Sequence, residues 1–167
     1  MFQRIAADIL KLPNSLNGHV ISASLLTSFV LSVITIGLVG PAVGYYQLFL
    51  LIVVGPLTFI HHITIICLLR KRQKETTKTS LVPTCLTRKT NVGFMVVFEL
   101  IWLSGVVVGF WFYAKYHSSA DMVISTGLAV TSNTVALLEC LAFPVLIVFC
   151  IRARNETVRA PWELDLV

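Results

Sequence analysis

Four apolar runs set the terms on which this chain can fold: residues 19–39, 47–69, 92–113 and 122–151 carry almost no charge. Each reaches the ~20 residues that a helix needs to cross hydrocarbon. A helix is the required form, because backbone groups inside a bilayer must find their hydrogen bonds within their own segment. Only 13% of residues are charged, against roughly 25% in soluble domains, which leaves little with which to clothe a water-facing surface. The expected fold is all-α: an integral membrane bundle of four transmembrane helices, one domain over residues 1–167, with a basic loop at 70–91 and a tail at 152–167. The 30-residue fourth run exceeds a perpendicular crossing and predicts tilt or an interfacial first turn.

The basic residues orient the spans. Arg4 and Lys11 precede the first, Arg70, Lys71, Arg72, Lys74, Lys78, Arg88 and Lys89 lie between the second and third, and Arg152, Arg154 and Arg159 follow the fourth. Twelve of the thirteen therefore fall on one side, and only Lys115 on the other. By the positive-inside rule both termini and the central loop are expected in the cytoplasm. Tyr45, Tyr46, Trp111, Tyr113 and Tyr116 gather at the opposite ends, where amphipathic rings suit the headgroup layer. The first run starts only near residue 19, and Pro41 sits in the candidate cleavage site behind it, so it reads as a retained span rather than a signal peptide. The acceptor pattern at Asn155 then faces the cytoplasm and stays unmodified.

Ionisable groups inside such runs cost ~2.5 to 3.5 kcal/mol on insertion scales, so each demands an explanation. This chain has His61, His62, Glu99 and Glu139. At 1.5 Å per residue Glu99 lies about 10 Å in from the end of its run, the histidines about 12 to 14 Å, and Glu139 about 20 Å. The depths let His62 face Glu99, with Glu139 one layer deeper. On the fourth run Ser125, Ala129, Ser132, Ala136, Glu139, Phe143, Leu146 and Cys150 alternate spacings of four and three, which makes one helical seam. Ser24, Ser28 and Ser32, then Gly40 and Gly44, recur at multiples of four on the first, and Gly105 and Gly109 form a GxxxG pair on the third. Small residues of this kind let helices approach closely in a membrane. Each carboxyl is expected to be neutral and hydrogen-bonded to His, Ser, Thr or Asn133.

The remaining features concern surfaces. Phe2, Ile5, Ile9 and Leu12 line one stripe before Pro13 and allow either a short helix on the inner leaflet or a frayed end. The loop bases, Arg70, Lys71, Arg72 and Lys74 foremost, are candidates for anionic lipid, whereas nucleic acid is not an expected partner for so short a loop beside a membrane. Cys67 and Cys150 stand near basic ends, where acylation is a candidate modification. The terminal "ELDLV" fits a permissive pattern for carboxylate-capturing partners.

Neighbouring histidines on a helix diverge by about 100° and cannot grip one metal ion as an i, i+4 pair does. No zinc signature, nucleophile elbow or phosphate loop is present, so neither catalytic activity, cofactor nor metal is expected. Two classes remain: a structural, membrane-organising or trafficking protein that partners the bilayer and, as homo-oligomer or otherwise, other membrane proteins; and a small proton- or ion-coupled transporter or channel subunit using His61, His62, Glu99 and Glu139 as a relay. "FELIWLSG", the short link with Asp121, "ECLAFPVLIVFCIRAR" and "PLTFIHHITIICLLRKR" together resemble four-span MARVEL-like proteins of the fungal type. That resemblance implies membrane apposition, vesicle traffic or membrane domains, in a plasma membrane or an endomembrane, and carries no functional residue with it.

Overall fold

The computed structural model describes residues 10, 12, 15–40, 49–72, 82–116 and 123–164. They form α1 (Leu16–Val39), α2 (Leu50–Arg72), a single-turn α3 (Thr84–Thr87), α4 (Lys89–Tyr116) and α5 (Val123–Leu164). Four of these, α1, α2, α4 and α5, are long and apolar enough to cross a membrane. The chain thus has the build of a multi-pass membrane protein.

Local sequence sets the helix ends. Ser15 is extended, and its side chain accepts the Gly18 N–H at 3.1 Å while its carbonyl takes the His19 N–H at 2.9 Å, so α1 starts on a serine cap. Phe49, in the left-handed region at φ 63°, redirects the chain just before α2. Pro83 starts α3, and extended Arg88 ends it while offering its carbonyl to Val92 N–H at 3.1 Å in the first turn of α4. Pro56 and Pro144 lie within continuous helix. The fourth span runs well past residue 151: α5 has 42 residues, about 63 Å at the α-helical rise. The segment after residue 151, expected as a tail, is helical through Leu164.

The long helices form a ring in the order α1, α2, α4, α5, each packing chiefly on its two neighbours. Contacts such as Asn17 with Glu156, Thr58 with Trp102 and His61 with Asn91 make neighbouring helices antiparallel. The bundle therefore has a basic end, holding the start of α1, α3 and the last third of α5, and a far end.

Its interior inverts the pattern of a water-soluble bundle. Ser22, Ser28, Ser32, Thr35, Thr58, His62 and Glu139 are fully buried, whereas Val53, Leu57, Ile60, Leu100, Val107, Leu141 and Val148 are exposed. An apolar belt around a polar interior is what hydrocarbon selects. Exposed hydroxyls in the belt are handled locally. Thr64, Ser104, Thr131 and Thr134 each donate to the carbonyl four residues earlier, at 2.7 to 2.8 Å.

Two apolar clusters bracket the polar layer. At the basic end Leu10, Leu12, Val82 and Leu86 close the bundle against Ile21, Leu25, Leu69, Met95 and Leu146. Toward the far end Val39, Leu51, Val54, Trp102, Val106 and Ala136 pack together. The N-terminal segment therefore buries Leu10 and Leu12 against the helices; Phe2, Ile5 and Ile9 lie outside the described residues, as do Tyr45, Tyr46 and Gly44.

Candidate functional site

The polar layer is built from links between helices. Ser28 on α1 donates its hydroxyl to the Glu139 carboxyl on α5, and both residues are fully buried. One turn along α1, Ser32 gives its own hydroxyl to the Ser28 carbonyl at 2.8 Å. Trp102 Nε1–H on α4 donates to Thr58 Oγ1 on α2 at 3.0 Å, again with both side chains fully buried. A buried indole N–H needs such a partner.

The histidines divide between two tasks. His62 donates Nδ1–H to the Thr58 carbonyl at 2.7 Å and lies flat against Phe143, ring centroids 5.8 Å apart. His61 meets the Asn91 side-chain oxygen through Nε2 at 2.7 Å and sets its ring edge-on to Phe98. Asn91 completes a clasp: its amide donates to the Leu86 carbonyl at 3.0 Å, tying α2, α3 and α4 together. At the basic end Asn17 donates to Glu156 at 2.6 Å, and Glu156 also pairs with Arg152 at 3.6 Å on the exposed side of α5.

Glu99 does not meet His62. Its half-buried carboxyl lies instead within electrostatic range of Glu139 and Cys140 on α5. Glu99 sits at the edge of the buried face of α4, next to α5, while His62 bonds to Thr58 within α2 and His61 bonds to Asn91 on α4. Among the described residues, the second carboxylate oxygens of Glu99 and Glu139, His61 Nδ1 and His62 Nε2 are buried without hydrogen-bond partners. No three His, Cys, Asp or Glu side chains among the described residues converge as metal ligands.

The small residues sort more finely than their spacing suggests. On α5 Ala129, Ser132, Ala136, Glu139, Phe143, Leu146 and Cys150 are all buried, one continuous face; the Ser125 side chain lies outside the described residues. On α1 the buried face runs through Asn17, Ile21, Leu25, Ser28, Ser32, Thr35 and Val39. Ser24 is only half-buried, because steps of four residues drift by about 40° each around a helix. Gly40 is exposed, with nothing near enough to need a glycine. Gly105 and Gly109 face different helices: a Cβ on Gly105 would come within 2.6 Å of Leu51 on α2, and one on Gly109 would collide with the Asn133 amide on α5.

Two surface candidates also resolve. Cys67 is exposed on α2, but Cys150 is fully buried at the basic end of the α5 face and is closed to acylation. Arg70 and Lys71 are exposed at the end of α2; the side chains of Arg72 and Lys74 lie outside the described residues. The residues that sequence reasoning missed are Thr58, Trp102, Asn91, Asn17 and Glu156. Of these only Trp102 gave a signal, a donor in an apolar run.

No family model, curated protein or solved structure matches the chain.

Proposed function

We propose that this chain is a multi-pass membrane protein with a structural, membrane-organising or trafficking role and no catalytic activity. Both termini and the basic end face the cytoplasm in this reading, which the twelve-to-one division of basic residues supports. The observation that carries the reading is where the interior polarity goes. Ser28 to Glu139, Trp102 to Thr58 and His61 to Asn91 each join two helices, and the tight approaches at Gly105 and Gly109 leave no width for a pathway there. Polar groups used in this way fix helix register in a membrane. The resemblance to MARVEL-like proteins points the same way. The exposed apolar belt is the surface through which further copies or other membrane proteins would associate.

A second reading, proton or ion transport, draws on one specific observation: Glu99 and Glu139 lie within electrostatic range and each keeps a buried oxygen without a hydrogen-bond partner. Reconstitution into liposomes containing a pH-sensitive dye separates the two. The organising role predicts background proton flux in wild type, Glu99→Gln and Glu139→Gln alike. A wild-type flux abolished by either change would sink it in favour of transport.

A further inference from the structure

At the basic end an open cleft of about 740 Å³ lies where α3, α4, the end of α2 and α5 meet. Arg88, Lys89 and Arg154 line it, with Thr87 in its wall and Leu68 and Phe94 on its flank. Among the described residues no acid is in the lining, and no carboxylate pairs with any of the three cations. Arg88 and Lys89 are exposed and Arg154 is half-buried. The cleft also abuts the first turn of α4, and a helix start carries unbonded amide N–H groups and the positive end of the helix dipole.

We propose that this cleft binds the phosphate of an anionic phospholipid headgroup. Two guanidinium groups supply the fork geometry that phosphate oxygens accept, and the ammonium adds a third charge. The volume is in the range of small-ligand sites. Its two-sided chemistry selects an amphiphile over a free anion. Leu68 is 41% exposed and Phe94 55%, and they continue the apolar belt, giving an acyl chain a path along α2 and α4 while the phosphate stays with the cations. The clasp of Asn91 to His61 and Leu86 holds the wall in place. The site is separate from Arg70 and Lys71, which do not line it. It rests on the membrane reading but not on the choice between organiser and transporter.

The test uses the full chain in nanodiscs of phosphatidylcholine with a minor fraction of phosphatidylserine or a phosphatidylinositol phosphate, followed by native mass spectrometry of the retained lipid. Wild type retains the anionic lipid selectively. Arg88→Gln with Lys89→Gln lowers retention by about fivefold per cation removed, a clearly larger loss than Arg70→Gln with Lys71→Gln gives outside the cleft. Both pairs are exposed, and unchanged helicity by circular dichroism shows that the variants fold. Equal retention by all three proteins, or equal losses in both variants, overturns the proposal. Displacement of the lipid by inorganic phosphate assigns the site to a soluble anion and overturns the lipid assignment. A chain that does not enter nanodiscs at all defeats the membrane reading instead.

Discussion

Ser28 and Glu139 lie 111 residues apart in sequence, yet the hydroxyl of one donates to the carboxyl of the other in the interior between α1 and α5. The bond sets both the rotation and the vertical register of the helix pair that packs most extensively.

Ser28→Ala removes this donor from the buried carboxyl. Interhelical hydrogen bonds in membranes average about 0.6 kcal/mol and reach about 1.7, so a loss within that range is expected from unfolding titrations in mixed micelles. Glu139→Gln keeps an acceptor for Ser28 and should stay close to wild type. A loss for Glu139→Gln well above that for Ser28→Ala would mean that the carboxyl serves something besides this bond.

Gly109→Ala drives a methyl group into the Asn133 amide, and overpacking of this kind costs about 1 to 3 kcal/mol. Asn133→Ala in the same chain should recover most of the loss. Gly93→Ala, at a position where a Cβ meets nothing, should be neutral or slightly stabilising. The same unfolding titration reads all three, and no recovery in the double variant would place the strain elsewhere.

Trp102→Phe keeps the aromatic bulk but loses the donor to Thr58, for an expected cost of about 1 kcal/mol. Trp102→Ala also opens a cavity among Leu51, Val54 and Val106 and should cost about 3 to 5 kcal/mol. Thr58→Val should add little once Trp102 is Phe. Equal costs for Phe and Ala at position 102 would show that packing contributes nothing there.

Acyl incorporation, followed by hydroxylamine-sensitive labelling, should fall on Cys67 and disappear in Cys67→Ser. Cys150→Ser should leave labelling unchanged, because that thiol is enclosed by the basic-end cluster. Label that depends on Cys150 would require the end of the bundle to open.

The proposed orientation predicts that, in sealed membrane vesicles, a membrane-impermeant maleimide reaches Gln73→Cys from the cytoplasmic side and Ser118→Cys only from the opposite one. The reverse pattern, or a glycan on Asn155, would invert the threading.

Much of this bundle was legible in sequence because hydrocarbon imposes a simple length rule. The four apolar runs became four long helices, and the alternating spacing from Ala129 to Cys150 became the buried face of α5. The partners were harder to read. Glu99 lies at a depth that suits His62, but depth does not fix rotation, and the carboxyl turns toward α5. Thr58 and Trp102 are 44 residues apart, and nothing local to either points to the other. Gly105 and Gly109 share a motif but sit about 40° apart around α4, enough to face different helices. The extension of α5 was missed because charged helix beyond a membrane edge has no apolar signal.

The hydroxyls of Thr64, Ser104, Thr131 and Thr134 bond within their own helices, so those segments are complete as soon as they coil. Ser28 has no such independence: its acceptor is translated 111 residues later. Biogenesis therefore divides into insertion, which each segment accomplishes alone, and closure between α1 and α5, which waits for α5. A nascent chain halted before α5 holds an inserted first segment whose serine has no acceptor, and that vacancy distinguishes an unfinished product from a mature one.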